Sequence, residues 1–239
     1  MLLSHYFPKI LIALLGGLFI FAGIYTFGKP LLFDRLFICI LLFTATICRK
    51  NINVLGVVII LVLQRLAEET AWTISELEYK DIIKALFYFM ALSVYWVIKY
   101  DKVSRLLLLA LVLAIAADLY WSFTEQQAPE VYWYVTLMSF YAFARHLIFM
   151  RVAYMQEIFV RDHIDSVNLD WQIYKLNALF VLLQLLMIVE YLIRGVFEHY
   201  QILYVWAIYP YLSQLFYTYL IWVVFYESYK LLIPKLLKA

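Results

Sequence analysis

The sequence contains little charge, and this shortage argues against two large classes of protein. Charged residues make up 15% of its 239 positions, whereas soluble domains contain about a quarter. The 19 basic and 17 acidic residues leave a net charge of only +2, and no Lys/Arg run is long enough to contact a phosphate backbone. The composition therefore argues against a soluble globular domain and against a nucleic-acid-binding protein.

Cysteines and catalytic motifs are equally scarce. Only Cys39 and Cys48 occur, both within one apolar run, so a disulfide framework or a zinc site is not expected. We interpret them as packed apolar thiols. The chain contains no nucleophile elbow, no phosphate-binding loop and no His-Glu-x-x-His motif. The sequence therefore predicts no catalytic residue, no metal and no cofactor.

Long apolar runs dominate the rest of the sequence. Hydrophobic residues make up 67% of the chain, aromatic residues 19%, and the mean hydropathy is +0.86. A helix needs about 20 mostly apolar residues to cross a hydrocarbon core of about 30 Å. Eight stretches approach that length, namely 10–28, 31–48, 54–73, 82–99, 104–123, 131–150, 172–193 and 201–229. We predict an all-α polytopic transmembrane helix bundle that forms one integral membrane domain over residues 1–239.

The distribution of basic residues predicts the orientation of this bundle. If the N-terminus is cytoplasmic, twelve Lys and Arg residues of the connections fall on the cytoplasmic side and five on the outer side. Cytoplasmic loops are enriched in Lys and Arg. We therefore predict that both termini are cytoplasmic and that the protein is integral to a bacterial cytoplasmic (inner) membrane.

The longest connection, residues 151–171, is then cytoplasmic. Val152, Met155, Ile158 and Phe159 recur there at helical spacing. This pattern predicts an amphipathic helix that lies on the membrane surface or against a partner. A plain surface connector is the alternative interpretation.

The stretch LQRLAEETAW places three charges near the predicted outer end of the third span. Arg65 lies three and four residues before Glu68 and Glu69, which is the spacing at which side chains meet on a helix. We therefore predict that Arg65 forms a structural ion pair with these glutamates. Glu190 and Arg194 are four residues apart near the outer end of the seventh span, and we predict a second pair there.

The carboxylates near the outer ends also allow a functional interpretation. Glu68, Glu69, Asp118 and Glu190 all lie at similar predicted depth. Ionisable residues in a membrane usually face the bundle interior or a wet cavity, because exposure to lipid is costly. If these carboxylates converge, they form an acidic vestibule that attracts cations or binds a cationic ligand. The alternative is that each is neutralised separately by its own neighbours.

Further polar groups are expected inside the bundle. Arg145 and His146 lie near the predicted inner end of the sixth span, and Gln214 and Tyr217 lie in the tyrosine-rich last span. Buried polar groups need hydrogen-bond partners within the membrane. We expect these side chains to bond inside the bundle, and we interpret His146 as a packed imidazole because no second metal ligand lies at helical spacing.

The leading functional prediction is non-enzymatic. We predict a membrane-embedded subunit that forms a homo-oligomer or a complex with a partner, and that also conducts ions if the acidic vestibule exists. The contact surface is either residues 151–171 or the small side chains of Gly16, Gly17 and Gly23. The alternatives are a small-solute or ion transporter, an intramembrane enzyme acting on a lipid or peptide, and a ligand-sensing membrane module. The sequence lacks paired glycine-broken helices and a catalytic constellation, which disfavours the first two alternatives.

Overall fold

The structure is a computed structural model that describes residues 17–18, 21–22, 24–26, 30–47, 49, 51–77, 80–124, 130–158, 164–196 and 203–236. Seven helices have their bounds within these ranges. They are α1 (Pro30–Ile47), α2 (Ile52–Ser75), α3 (Lys80–Val97), α4 (Lys102–Thr124), α5 (Val131–Ile158), α6 (Asn168–Val196) and α7 (Tyr204–Leu236). No strand occurs among the described residues. The prediction of an all-α fold is confirmed for this part of the chain.

Three of these helices are long and apolar enough, by length and composition, to cross a membrane. The candidate spans are Lys102–Thr124 of α4, Asn168–Gly195 of α6 and Tyr204–Glu227 of α7. Helix α1 contains a shorter apolar stretch, Arg35–Thr46. The structure therefore supports a membrane-associated protein with three candidate spans among the described residues, rather than eight. The predicted first span, 10–28, lies largely outside those residues.

Charges explain why two other helices fall short of this criterion. The second half of α2 contains the charged residues of LQRLAEETAW, and α3 begins with Lys80, Asp81 and, one turn later, Lys84. Charged groups near a helix end shorten its uncharged core, although they are tolerated there because they reach the headgroups. Helices α2 and α3 therefore have too many charged residues near one end to count as candidate spans, although their bounds lie close to the predicted spans.

Local sequence signals set several helix ends. Helix α1 begins at Pro30, whose fixed φ and missing N–H suit a first helical turn. Helix α4 follows Asp101, whose carboxylate accepts the Val103 N–H at 3.1 Å as an N-cap. Helix α5 continues to Ile158 because no Gly or Pro interrupts it. The predicted connector 151–171 therefore begins as the last two turns of α5 and not as a separate helix.

Internal contacts divide the chain into two units. Unit 1 comprises residues 1–62, 151–172 and 211–239, and unit 2 comprises residues 63–150 and 173–210. Each unit has its own buried apolar side chains. The single membrane domain stays a prediction.

In unit 1, α1 packs on α7 at Tyr217. The ring centroids of Phe33 and Phe37 lie 6.2 Å and 5.2 Å from that of Tyr217. Helix α2 approaches the last turns of α5 at Gly56, where an added Cβ would overlap the sulfur of Met155. Glycine at this position permits the close approach of the two helices.

In unit 2, aromatic side chains hold the helices together. The rings of Tyr141 (α5) and Phe180 (α6) are stacked with centroids 4.5 Å apart, and both side chains are buried. Helices α4 and α6 meet at Gly195, where an added Cβ would lie 2.6 Å from the buried ring of Trp121. Each buried aromatic side chain removes about 150–250 Å² of surface from its surroundings. These contacts therefore hold α4, α5 and α6 against one another.

Candidate functional site

The charged stretch of α2 is bonded along its own helix. Arg65 Nη1 lies 2.7 Å from Glu68 Oε2, and Nη2 lies 3.0 Å from Glu69 Oε1. Gln64 Nε2 donates to the other oxygen of Glu68 at 3.0 Å. Both carboxylate oxygens of Glu68 therefore have donors, which accounts for a side chain that is only 4% exposed.

Asp118 of α4 has partners on α3. The Tyr88 hydroxyl donates to its Oδ2 at 2.6 Å, and Lys84 Nζ lies 3.6 Å from the same oxygen. The other oxygen, Oδ1, is buried and has no hydrogen-bond partner among the described residues. Asp118 thus links α4 to α3 and retains one open acceptor.

Glu190 of α6 binds the start of α7. Its two oxygens accept the backbone N–H groups of Val205 and, at 3.0 Å, of Trp206. These amides lie in the first turn of α7, where no intrahelical carbonyl is available to them and the helix dipole favours a negative charge. The described residues contain no ion pair between Glu190 and Arg194, which we expected from their spacing. The unsatisfied amides compete for the carboxylate more effectively than an arginine with access to solvent or headgroups.

The predicted vestibule carboxylates therefore have separate partners. Glu68 and Glu69 bind Arg65, Asp118 binds α3, and Glu190 binds α7, and no hydrogen bond or ion pair joins these groups to one another in the described part of the chain. The shared acidic vestibule stays a prediction. No group of three or more His, Cys, Asp or Glu side chains that could hold a metal occurs among the described residues.

Arg145 of α5 joins the α3–α4 turn to α6. Its Nε lies 3.0 Å from Asp101 Oδ2, its Nη1 donates to the Tyr174 carbonyl at 2.8 Å, and its guanidinium lies 3.4 Å from the centroid of the Tyr174 ring. Burial disfavours the charged form of Asp101, but hydrogen bonds from Arg145 and from the Val103 N–H outweigh this effect and lower the pKa of the carboxyl below its ordinary value. The half-buried His146 has no hydrogen bond in the described residues.

The tyrosine-rich last helix contributes differently to each unit. In unit 1, Tyr217 packs its ring against α1, and the nearby Gln214 is half-buried. In unit 2, the Tyr209 hydroxyl accepts a hydrogen bond from Gln184 Nε2 at 3.0 Å. Gln184 is fully buried, and its Oε1 has no partner among the described residues. Mid-helix tyrosines thus serve both as packing groups and as hydrogen-bond partners.

Sequence reasoning missed the most buried ion pair in the described residues. Arg151 lies where the last two turns of α5 begin, and it is 1% exposed. It binds both oxygens of Asp170, at 2.7 Å and 2.6 Å. Its Nη2 also donates to the Asp165 carbonyl at 2.8 Å, and the Asp165 N–H donates to Asn53 Oδ1 at 3.2 Å. These contacts tie the 164–170 segment to α5 and α2. Nineteen residues separate the two charged partners, so no helical spacing reveals the pair.

A pocket in unit 2 was also not predicted. It has a volume of about 260 Å³ and lies where α2 ends and where α3 and α5 begin. Its lining residues are Trp72, Ser75, Glu76, Lys80, Glu130, Tyr132 and Trp133. The lining combines aromatic rings with side chains of both charges. No signal within a single helix identifies a pocket that the ends of three helices form together.

Comparison with known proteins does not extend this description. No protein-family model, no curated protein and no solved structure matches the chain. Since a helical fold does not imply a function, the evidence on what this protein does comes from the geometry of its described residues.

Proposed function

We propose that the chain is a polytopic protein of a bacterial cytoplasmic membrane, with eight spans and cytoplasmic termini. Within that membrane it acts as a non-enzymatic subunit that docks a partner protein or a second copy of itself. The three candidate spans support insertion into a membrane, and the excess of basic residues in the connections assigned to one side supports cytoplasmic termini. Gly17 is the one residue of the glycine surface that the structure describes, and an added Cβ there would meet no described atom within 4 Å, which leaves room for a helix of another subunit; Gly16 and Gly23 lie outside the described residues.

The hydrogen bonds of the buried carboxylates favour a structural role for these groups over a catalytic one. Four acidic side chains are buried among the described residues, namely Glu68, Asp170, Glu190 and Glu227. Each accepts hydrogen bonds from an arginine, from backbone amides, or from Asn168 and Lys230 in the case of Glu227. A general base needs a carboxylate that can reach its substrate. Asp170, Glu190 and Glu227 instead connect separate segments of the protein, and Glu68 is bonded within its own helix.

The observation that carries the docking proposal is the surface of the last two turns of α5. Tyr154 and Ile158 are one turn apart on the same face and are 43% and 71% exposed. Helix α5 has 28 residues. At about 1.5 Å per residue its length exceeds the thickness of a hydrocarbon core by about 12 Å. The buried pair of Arg151 and Asp170 holds this helix end in place. A rigid, exposed apolar face loses little conformational entropy when a partner covers it.

Photo-crosslinking in cells tests this proposal. A photoreactive residue at Tyr154 or Ile158 is expected to give a discrete protein adduct, whose identity mass spectrometry then establishes. Ala153 is the matched control, because it is exposed on the same helical turn but points about 100° away from Tyr154. Adducts with lipid alone, or equal adducts from all three positions, would contradict the proposal.

Cation conduction is a second candidate, and Asp118 favours it. Its buried Oδ1 has no partner among the described residues, so a cation could bind there without displacing Tyr88 or Lys84 from Oδ2. The test is a double-mutant cycle of Asp118→Asn and Glu190→Gln with cation flux into liposomes as the readout. Coupling of about 0.5 kcal/mol or more supports a shared path. Additive effects with unchanged flux exclude conduction and leave the docking subunit.

A further inference from the structure

We propose that the pocket formed by α2, α3 and α5 binds a small organic ammonium ion. Trp72 and Trp133 supply its aromatic walls, and Glu76 and Glu130 supply the counter-charge. All four residues belong to unit 2. The site is separate from the docking face on α5 and does not depend on it.

The indole rings of Trp72 and Trp133 pack edge to face. Their centroids are 5.3 Å apart and their planes are inclined at 74°. Both side chains also line the pocket. An ammonium group is attracted to the negative face of an aromatic ring, and tryptophan provides the strongest such attraction among the side chains.

The charges of the lining favour a cation. Glu76 and Glu130 contribute two negative charges and Lys80 one positive charge, so the pocket carries a net charge of −1. Lys80 Nζ lies 3.5 Å from Glu130 Oε1, and both side chains are about two-thirds exposed. Such an exposed ion pair contributes about 0–1 kcal/mol and therefore exchanges readily for another cation. Glu76 makes no ion pair or hydrogen bond within the described residues.

The other cation near the pocket is already neutralised. Lys84 Nζ lies 5.9 Å from the centroid of the Tyr132 ring and 3.6 Å from Asp118. Its charge is balanced by that carboxylate, which is not part of the pocket lining. Lys84 therefore interacts with Tyr132, whereas the Trp72 and Trp133 rings have no cation within cation–π distance among the described residues.

The composition of the pocket favours an organic ammonium ion over a metal ion. Ca²⁺ takes about six to eight oxygen ligands and Mg²⁺ about six, whereas this lining offers two carboxylates and the Ser75 hydroxyl beside three aromatic side chains. The volume of about 260 Å³ is just below the usual range for small-molecule sites, about 300–1,000 Å³. A ligand of the size of choline fits this volume. The same group is present in solution and in the headgroup of choline lipids.

Titration of the full-length protein in lipid nanodiscs tests the proposal. The nanodiscs contain phosphatidylglycerol, which has no ammonium group, and choline chloride is added while tryptophan fluorescence is recorded. We expect a saturable change that an equal concentration of sodium chloride does not produce. Absence of saturation, or the same change with sodium chloride, would overturn the proposal.

A pair of tryptophan variants locates the site. Trp72→Ala is expected to weaken choline binding about two- to fivefold, because Trp72 is half exposed and a cation–π contact at such a site contributes about 0.5–1 kcal/mol. Trp206→Ala is the matched control, because Trp206 is 52% exposed and Trp72 is 50% exposed, and Trp206 does not line the pocket. Equal affinities of the wild-type protein and Trp72→Ala would overturn the assignment.

Charge variants give changes of opposite sign. Glu130→Gln should weaken choline binding severalfold, whereas Lys80→Gln should strengthen it severalfold, because Lys80 competes with the ligand for Glu130. Distortion of the pocket would weaken binding in both variants. Weaker binding to Lys80→Gln would therefore overturn the proposal.

A change of lipid separates the two sources of the ammonium group. If the natural ligand is a lipid headgroup, nanodiscs of phosphatidylcholine should lower the apparent affinity for free choline severalfold by competition. An unchanged affinity assigns the pocket to a soluble ammonium ligand. The tryptophan and charge variants test the pocket itself in either lipid.

Discussion

Two arginines show how the same kind of ion pair serves different purposes in the two units. Arg65 in unit 2 binds Glu68 and Glu69, three and four residues along its own helix. Arg151 in unit 1 binds Asp170, nineteen residues away, and the carbonyl of Asp165. The pairs of Arg65 form as soon as α2 forms, so they neutralise the charges of that helix without any tertiary contact. The ion pair of Arg151 forms only when separate segments of the chain meet, so it stabilises the tertiary structure.

The largest effect is therefore expected at Arg151. Arg151→Leu leaves Asp170 buried without its cation and should lower the free energy of unfolding in detergent by about 3–5 kcal/mol. Arg151→Lys is the control; it keeps the charge but loses the bidentate contact, and its effect should be smaller. The double variant Arg151→Leu/Asp170→Leu should recover much of the loss. A cost of less than about 1 kcal/mol for Arg151→Leu would mean that the pair does not hold the segment.

Arg65→Leu should have a smaller effect. Glu68 loses its counter-charge but keeps the hydrogen bond from Gln64, and it lies near a helix end, so we expect a loss of about 2 kcal/mol. Thermal unfolding in detergent measures the difference from Arg35→Leu, the control. Arg35 is exposed and has no ion pair among the described residues. Equal melting temperatures for the two variants would contradict the role of the α2 cluster.

A third, still smaller effect depends on pH. The pKa of Asp101 is lowered in the folded protein, so its contribution to stability is complete above the unfolded pKa of about 3.9 and is lost as the pH falls through the lower folded value. Asp101→Asn should cost about 1–2 kcal/mol at neutral pH, and the difference from the wild-type protein should shrink below pH about 4. Unfolding curves between neutral and acid pH measure it. A difference that is independent of pH would contradict the ionised pair with Arg145.

The smallest effect is expected at the rim of the ammonium pocket. Lys80→Gln removes an exposed ion pair with Glu130 and should change the free energy of unfolding by less than about 1 kcal/mol. The same unfolding measurement checks this value. A larger loss would show that Lys80 is a structural residue like Arg151, and that its exchange for a ligand is energetically unfavourable.

The same contrast explains how much could be predicted from the sequence. Apolar runs predicted the helices to within a few residues in most cases, and the spacing of Arg65 indicates its glutamate partners because both depend on residues close in the chain. The position of Asp101 immediately before a helix is an N-cap signal that could have been recognised. The partners of Arg151 and Glu190 depend on which distant segments meet. No spacing in the sequence contains that information.

The number of spans illustrates a related difficulty. Hydropathy alone does not separate a helix that crosses lipid from one that packs beside it, particularly where charges lie near the ends, as in α2 and α3. The pocket was missed for a similar reason. Trp72 and Glu76 lie far in the sequence from Glu130 and Trp133, and only the meeting of three helix ends brings them together.

The predicted orientation in the membrane is tested most directly by determining on which side of the membrane each end of α5 lies. Single cysteines are introduced at Ser166 and Glu130, both exposed, after Cys39 and Cys48 are replaced by alanine, and intact cells are treated with a membrane-impermeant thiol reagent. The account predicts that the cysteine at position 130 is labelled and that the one at 166 is labelled only after the cells are opened. Labelling at position 166 but not 130 in intact cells would contradict the orientation and the cytoplasmic docking face, and labelling at both would contradict the number of spans between them.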